Sequence, residues 1–181
     1  MTRKSKKDLD TRVEAYRSSA SDLLNEDFFA RRAEVVARDI LGMTIVRVLP
    51  NRSIIRAKIH EVAAYEGTTN KTADTISYPP GVLGVSSKFR NYLIDIGTRK
   101  SDSPSCITLI AGLFYTGEEP KLIQGPGKLA RELGITKEYD KLPVYNNKQF
   151  WIEKNTPHEG EVKKREKAGL PENCLGFFCI E

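Results

Sequence analysis

The chain has 181 residues, of which 39% are hydrophobic and 29% charged, and its formal net charge is +5. This length and balance fit one globular domain, and they exclude a membrane-spanning helix, because no apolar run approaches the roughly 20 residues that a bilayer crossing requires. The basic excess suits a polyanionic partner such as nucleic acid, since lysine and arginine neutralise phosphate charges.

The N-terminal segment is polar and basic. We expect residues 1–25 to form a flexible leader and residues 26–181 to form the single folded domain. A first helix is predicted over residues 27–40, because their apolar side chains fall near one stripe. Gly42 follows at the position where glycine commonly ends a helix.

Two strands are predicted next, over residues 44–49 and 53–65, joined by a turn at residues 50–52. The second strand alternates, so that one face carries Ile55, Ala57, Ile59, Glu61, Ala63 and Tyr65. A carboxylate on an apolar face is unusual, because burying an unpaired charge is costly. Glu61 therefore either lies hydrated or paired at the rim, or lines a cleft, and the pattern leaves both alternatives open.

The second half of the chain mixes strands and helices. Residues 67–87 are predicted to be irregular. The elements predicted after them are strands at 89–96 and 106–114, a helix within 124–135, a short strand at 150–153 and a terminal strand at 175–180. Strands in antiparallel pairs, with helices at irregular intervals, indicate the α+β class.

The cysteines and histidines do not form a metal-site pattern. Cys106, Cys174 and Cys179 include no CxxC pair, and His60 points away from the face of Glu61. We therefore expect no metal and three free thiols. His60 and the single Trp151 are interpreted as structural residues.

The segment from residue 124 to residue 135 carries a candidate phosphate site. Gly125 suits the N-cap and Pro126 the first helical position. The unpaired N–H groups of a helix start, together with Lys128, would suit an anion, and Arg131 lies at i+3 on the same side as Lys128. The alternative is an ordinary capped helix with an exposed lysine.

Three sequence pieces occur in an order that resembles a known family. They are VARDILG at residues 36–42, IHEVAAYEG at 59–67 and GPGKLARELGI at 125–135, followed by FWIE at 150–153. Together they resemble the 3-methyladenine (alkyladenine) DNA glycosylase family, from about residue 27 to the C-terminus, with a poor match in the middle. The 125–135 piece is the most specific of them.

The resemblance implies a fold, a reaction and a partner. The fold is a single domain with a curved, mainly antiparallel sheet and flanking helices. The implied reaction is base-excision repair, in which a damaged purine is flipped out of the duplex and its N-glycosidic bond is hydrolysed without cofactor or metal. The implied partner is double-stranded DNA containing the damaged purine, with no membrane. We expect an intracellular monomer, cytoplasmic at the nucleoid if bacterial.

The resemblance also assigns residues to the site and shows departures from the family. The general-base glutamate of the family is replaced here by Ala63, whose methyl group cannot accept a proton. Tyr65, which would stack on the flipped base, and Tyr92, a pocket aromatic that would sandwich the base together with Tyr65, are kept. Glu61 remains as the candidate water-activating residue. Asp95 stands where the family has the tyrosine that wedges into the duplex, and the phosphates would repel a carboxylate in that role.

Other positions complete this assignment. Ala111 replaces a family arginine, Glu66 and Asp74 are outside candidates for a relocated carboxylate, and Leu93 or Phe89 are alternatives for the wedge. The DNA-contacting positions would be Gly125, Gly127, Lys128 and Arg131. A DNA glycosylase is thus the first hypothesis. A non-cleaving relative that binds distorted or modified DNA is the second, and a site for another lesion or an RNA is the third.

Overall fold

Most of the folded chain forms one branched antiparallel sheet. The computed structural model describes residues 23–67, 78–88, 91–100, 103–115, 119–145, 147–154, 160–165 and 172–180. In chain order their elements are α1 (Glu26–Phe29), α2 (Ala33–Asp39), β1 (Thr44–Val48), β2 (Ile54–Glu66), β3 (Leu83–Lys88), β4 (Asn91–Gly97), β5 (Ser105–Phe114), β6 (Lys121–Gln124), α3 (Pro126–Glu132), a 3₁₀ turn (Lys137–Tyr139), β7 (Phe150–Glu153), β8 (Val162–Arg165) and β9 (Cys174–Ile180). This confirms the α+β prediction and the curved antiparallel sheet.

The two central strands, β2 and β5, pair with each other and change their second partner halfway. The main order of the sheet is β3-β4-β5-β2-β1-β7. On the edge that faces away from β5, β2 pairs with β1 through residues 54–58 and with β9 through residues 61–65. β5 pairs likewise with β6 through residues 111–114 and with β4 through residues 106–108. The sheet therefore branches at the middle of β2 and β5.

Two bulges, one on β2 and one on β5, lie at this branch point, and they change which residues of β2 share a face. The register passes from Ile59/Gly112 to Glu61/Ala111, which leaves His60 as the extra residue of a bulge, and Ile110 is the extra residue on β5. An extra residue moves the following side chains to the opposite face. Ile59 faces the main core before the bulge, and Val62 faces it after the bulge. The prediction that one face runs unbroken from Ile55 to Tyr65 is therefore wrong.

The main core lies on one side of this sheet, against α2 and α3. Helix α2 buries Ala33, Val36 and Ala37, and α3 buries Leu129 and Ala130. The strand residues that face them are fully buried and include Ala57, Ile59, Val62, Ala64, Ile94, Ile96, Ile107 and Leu109. We call this side of the sheet the core face. At roughly 1.5–3 kcal/mol for each fully buried aliphatic side chain, burial on the core face supplies most of the stability.

The helix predicted over residues 27–40 is divided into α1 and α2. Asn25 caps α1, accepting a hydrogen bond from the Phe28 amide at 3.1 Å. The carbonyl of Phe29 then accepts from the Arg99 amide at 2.9 Å, and Arg32 is extended, with ψ 142°. Tertiary hydrogen bonds thus override the helical periodicity at residues 30–32. Gly42 has φ 77° at the predicted helix end.

Three strands were absent from the predicted elements. β3 lies inside the segment predicted to be irregular, because Leu83 and Val85 enter the core while β3 pairs with β4. β6 and β8 are four residues each and carry mostly exposed side chains, so their sequences lack an apolar alternation. Their positions come from pairing with β5 and β9.

Helix α3 begins and ends as predicted. Gly125 is its N-cap with φ 106°, and Pro126 takes the first helical position. Gly134 has φ 61°, and its amide donates to the Arg131 carbonyl while the Ile135 amide donates to Ala130. This pair of hydrogen bonds is the Schellman pattern, in which glycine adopts the left-handed conformation at low cost.

The N-terminal boundary of the fold lies slightly before the predicted one. Residues 1–22 of the predicted leader lie outside the described residues. Leu23 forms a bridge with Glu153, and Leu24 is buried in the core, although both were assigned to the leader. The longest described helices have seven residues, far short of a bilayer crossing.

Two glycines allow main chain to lie against the sheet beside β4. A Cβ on Gly97 would lie 2.2 Å from the Pro79 carbonyl oxygen and 2.4 Å from that of Tyr78. A Cβ on Gly84 would lie 2.1 Å from the Tyr78 ring. Gly84 pairs with Asp95, and Gly97 is two residues further along β4, so the Tyr78–Pro79 chain covers the side of the sheet opposite the core face.

We expect Gly97→Ala to destabilise the fold more than Gly67→Ala, although both add one methyl group. At Gly97 the methyl group meets main-chain oxygens, which cannot move aside, and the cost should be about 3 kcal/mol. At Gly67 nothing lies within 4 Å, and only the φ of 84° resists, which costs about 1–2 kcal/mol. Urea unfolding measures both, and an equal or smaller loss for Gly97→Ala would contradict the close approach.

Candidate active site

The side of the sheet opposite the core face carries a cluster of polar, aromatic and thiol groups. We call it the Tyr65 face. By strand register its members are Glu61, Ala63 and Tyr65 of β2, Asp95 of β4, Cys106, Thr108 and Ile110 of β5, and Phe177 and Cys179 of β9, with Cys174 beside Tyr65. As predicted from alternation, Glu61, Ala63 and Tyr65 share this face.

Some residues of the Tyr65 face keep a small solvent access, whereas the core-face residues directly behind them keep none. Asp95 is 6% exposed, Thr108, Ile110 and Phe177 are each 7% exposed, and Tyr65 is half-buried. Directly behind them the residues at 0% exposure are Val62, Ala64, Ile94, Ile96, Ile107 and Leu109. The Tyr65 face is thus a second, more polar surface and no extension of the core.

Tyr65 lies between two cysteines. It pairs with Cys106 of β5 on one side and with Cys174 of β9 on the other. Burial raises the pKa of the Tyr65 hydroxyl above its ordinary value, and Cys174, Cys106 and the charge of Asp95 act in the same direction. Tyr65 is therefore a neutral phenol at physiological pH, whose ring is held in place by the sheet. It is a suitable surface for stacking a planar base.

Asp95 is a buried carboxyl group held by two hydroxyls. Thr108 donates a hydrogen bond to Oδ1 at 2.5 Å, and Ser86 donates one to Oδ2 at 3.1 Å. Burial raises the pKa of Asp95 from 3.8 to about 6, although both hydroxyls act in the opposite direction. Burial and the charge of Asp95 also raise the pKa of the Cys106 thiol. Asp95 remains largely ionised at pH 7 but is far more basic than an exposed aspartate.

Ala63, the expected catalytic position, and the candidate Glu61 lie in neighbouring rows of the sheet. A row here is a line of residues that pair with one another across adjacent strands. Ala63 is fully buried and pairs with Thr108 of β5 and Phe177 of β9. Glu61 is 3% exposed and pairs with Ala111 and with Cys179. Ala111, which stands where the family has an arginine, therefore belongs to the row of Glu61.

Tyr92 is not brought together with Tyr65. The pairing of β3 with β4 is regular, so Tyr92 shares its face with Ile94 and Ile96 of the core face. It lies near the start of β4 and is 37% exposed. Tyr65 and Tyr92 thus point to opposite sides of the sheet, and they do not form the two walls of one base-binding slot.

The position of Asp95 agrees with the expectation that it is not the wedge into the duplex. It pairs with Gly84 on one side and Thr108 on the other, in the interior of the sheet. Leu93, one alternative for the wedge, is half-buried on β4, whereas Phe89 lies outside the described residues.

The two outside carboxylate candidates differ in what the structure shows. Glu66 accepts the Ala33 amide at 2.9 Å and lies 3.6 Å from Arg32 and 3.8 Å from Arg99. These contacts join the end of β2 to the start of α2, which is a structural function. Asp74 lies outside the described residues.

The four predicted DNA-contacting residues lie at the start of α3 and along it. Lys128 and Arg131 are exposed, and Gly125 is half-buried. Gly127 has a packing reason of its own, since a Cβ there would lie 2.7 Å from the Asn91 side chain. The glycine at 127 therefore allows α3 to approach β4, whatever else contacts the helix.

The remaining sequence assignments concern structural residues. Trp151 is fully buried and donates to Glu153 at 2.9 Å, as expected of a strand anchor. All three cysteines are free thiols, of which Cys174 is only half-buried. Within the described segments no group of three or more histidine, cysteine, aspartate or glutamate side chains could hold a metal ion.

Sequence reasoning missed Asp95 as a member of this site, although a signal was present. In the run Leu93-Ile94-Asp95-Ile96 a carboxylate interrupts an apolar strand. Such a residue is costly to bury, and it therefore marks a place where burial serves another purpose.

The stability of the protein should depend on pH through Asp95. Because its pKa is higher in the folded state, at about 6, than in the unfolded chain, the stability present below pH 4 is lost as the pH rises through 6. A difference of this size corresponds to about 3 kcal/mol. Asp95→Asn cannot ionise, so its free energy of unfolding relative to the parent should rise by about that amount from pH 4 to pH 7. Urea unfolding at both pH values measures this, and a constant difference would contradict it.

Comparison with known proteins identifies the family. The family model of the methylpurine-DNA glycosylases matches residues 27–174. A protein from Gloeobacter violaceus is 29% identical over 176 residues, which cover 86% of this chain and 81% of that protein. One from Listeria welshimeri is 28% identical over 179 residues, covering 83% of each chain, and one from Methanocella arvoryzae is 29% identical over 154 residues, covering 72% and 76%. All three bear provisional names as 3-methyladenine DNA glycosylases. With the match spanning most of the fold, the chain belongs to the methylpurine-DNA glycosylase family.

Proposed function

We propose that the protein is a DNA glycosylase of base-excision repair, which removes alkylated or deaminated purines from duplex DNA. The observation that carries the proposal is the composition of the Tyr65 face. A half-buried tyrosine lies there on the same side of the sheet as two buried carboxyl groups, those of Glu61 and Asp95. A flipped base needs an aromatic surface to stack on, and its N-glycosidic bond needs a water molecule activated by a carboxylate.

Base stacking, water activation and backbone binding each have a group to perform them. The target nucleotide must leave the stack, because the bond between base and sugar cannot be reached inside the duplex. Tyr65 then stacks on the extruded purine, and Phe177 and Ile110 offer apolar walls on the same face. A carboxylate of this face takes a proton from water. Lys128 and Arg131 neutralise phosphates of the DNA backbone.

A second function is favoured by one observation, the alanine at position 63. A relative that binds distorted or modified DNA without cleaving it would keep Tyr65 and Lys128 and have no need of a glutamate at that position. The two functions differ in one measurable product, the abasic site.

The excision assay should show that the protein converts 3-methyladenine or hypoxanthine in a duplex oligonucleotide to an abasic site, detected by strand cleavage in alkali. Tyr65→Ala should lower the single-turnover rate by about tenfold or more, because base–aromatic stacking is worth about 1–3 kcal/mol. Tyr65→Phe, which keeps the ring and removes only the hydroxyl, is the matched control and should remain within a few-fold of the parent.

Two results would count against this function. An inactive parent that still binds damaged duplex would support the non-cleaving relative, and gain of excision in Ala63→Glu would then show that only the carboxylate was lost. Equal losses in Tyr65→Ala and Tyr65→Phe would contradict stacking, since the two variants differ in the ring.

Lys128→Ala should weaken DNA binding by a similar factor for damaged and undamaged duplexes, because a phosphate contact carries no base information. The slope of log affinity against log salt should become shallower by about 1. Fluorescence anisotropy over a salt series measures both quantities. An unchanged slope would assign Lys128 to an ordinary exposed helix position.

A further inference from the structure

We propose that Asp95, on β4, is the carboxylate that activates water in this protein and does the work of the glutamate that position 63 lacks. This inference rests on the proposed glycosylase function and deepens it, since it names the residue that performs the proton transfer. Four observations support it: the row in which Asp95 lies, its relation to Tyr65, its hydrogen bonds and its burial.

Asp95 lies in the same row of the sheet as Ala63. Ala63 pairs with Thr108, and Thr108 pairs with Asp95, so one strand separates the two positions. Their Cα atoms are about 10 Å apart at the usual strand spacing. The hydrogen bond from Thr108 to Oδ1, at 2.5 Å, shows that the carboxyl group lies next to the strand between them. The carboxylate is thus displaced sideways along one row while it remains on the same face.

Glu61 lies in the row beyond Ala63, on the side away from Tyr65, whereas Asp95 lies in the row of Ala63 itself. Glu61 lies two residues from Ala63 and four from Tyr65 along β2, about 7 and 13 Å away. The row of Tyr65 runs through Cys106 of β5 to Gly97 of β4, and the row of Asp95 lies next to it. The charge of Asp95 contributes to the raised pKa of both Tyr65 and Cys106, which indicates that it lies within electrostatic reach of the stacking residue.

The hydrogen bonds of Asp95 orient the carboxylate and leave it able to accept a proton. Both donors, Ser86 and Thr108, are neutral hydroxyls, which depress basicity less than a lysine or arginine partner would. An ionised carboxylate has about four acceptor sites, and these two bonds use two of them. With a pKa of about 6, Asp95 is ionised at neutral pH and basic enough for general-base catalysis.

The burial of Asp95 favours a chemical role over a structural one. An asparagine at position 95 could accept the Thr108 bond through its oxygen and donate to the Ser86 hydroxyl through its nitrogen, without placing a charge in the sheet. The carboxylate instead lowers stability at neutral pH, as derived above. Buried groups of this kind, with perturbed pKa values, cluster at functional sites because the chemistry requires them.

The proposed step is balanced for a cationic purine. The oxygen of water forms a bond with C1′ of the sugar, and one proton of that water moves to the Asp95 carboxylate. The bond between C1′ and the purine nitrogen breaks, and its electron pair leaves with the base. The departing 3-methyladenine is neutral, because the positive charge that it carried in DNA is cancelled, and Asp95 later returns its proton to solvent.

The test is single-turnover excision of 3-methyladenine from a duplex by the full chain, at saturating protein. Asp95→Asn should be slower by about 100-fold or more, the range of a general base. Its DNA affinity should be unchanged, and its melting temperature at pH 8 should be equal to or above that of the parent. Asp39→Asn, the same substitution at an exposed residue that pairs with Arg31, is the matched control and should excise at the parental rate.

A pH profile separates a base from a structural residue. The parental rate should fall tenfold per pH unit below pH 6 and be flat above it, and this limb should persist in Glu61→Gln. Among the described residues, the charge of Asp95 acts on three titratable groups, Tyr65, Cys106 and Tyr78, and burial raises the pKa of each away from this range.

The outcomes distinguish this inference from the proposed function. If the parent excises and Asp95→Asn stays within about fivefold of it, or if the acid limb disappears in Glu61→Gln, Asp95 is not the base and the glycosylase function stands. If the parent does not excise at all, both fall. A folded Asp95→Asn that binds damaged DNA but has lost excision supports the assignment.

Discussion

The bulge at His60, with its counterpart at Ile110, is the feature on which both faces of the sheet depend. Before it, Ala57 and Ile59 fill the main core, and after it Val62 and Ala64 do so. Without the extra residue, the alternation of β2 would turn Ala63 and Tyr65 toward the helices and expose the residues that now pack beneath α2. One residue thus allows a single 13-residue strand to complete the core with one half and to present a polar face with the other.

The same position is where β2 exchanges β1 for β9 as its neighbour. A strand that bends and changes partner cannot continue a flat sheet, so the half of the sheet that carries the Tyr65 face turns away from the half that carries β1 and β7. The Tyr65 face is therefore built from four adjacent strands and lies directly above fully buried residues of the core face. Side chains on strands of this kind are positioned more rigidly than side chains on loops, which suits a site that must hold a base and a carboxylate in fixed relation.

Periodicity and turn chemistry were sufficient to predict the elements whose stabilising contacts are local. Helix α3 is an example, because Pro126 and Gly134 determine its start and end through backbone conformation alone. The break at residues 30–32 could not be predicted, since it depends on a hydrogen bond donated by the Arg99 amide and on one accepted by the Glu66 carboxylate, both remote in sequence. The strand β3 was missed for a related reason: Gly84 weakens its alternation, and the cause is the Tyr78 ring that lies against it.

The candidate site also has a part that local sequence predicts and a part that depends on residues remote in sequence. Alternation placed Glu61, Ala63 and Tyr65 together correctly, because their relation lies within one strand. Asp95 comes from a different strand, and its row could be known only after β4 and β2 were found on either side of β5. Register within the sheet also separates Tyr92 from Tyr65, although motif resemblance had joined them.

A carboxylate moved from one strand to another can serve the same chemistry only if the face stays the same, since general-base catalysis depends on where the oxygen lies and not on the strand that supplies it. Ala63 removes a charge from β2, and Asp95 places one on β4, in the same row and on the same side. Aspartate is one methylene shorter than glutamate, which limits its reach, and the Thr108 hydroxyl partly offsets this by drawing the carboxyl group toward β5. The row formed by Ala63, Thr108 and Asp95 is therefore best understood as one unit, in which a fully buried alanine stands in place of the glutamate and a buried aspartate provides the charge.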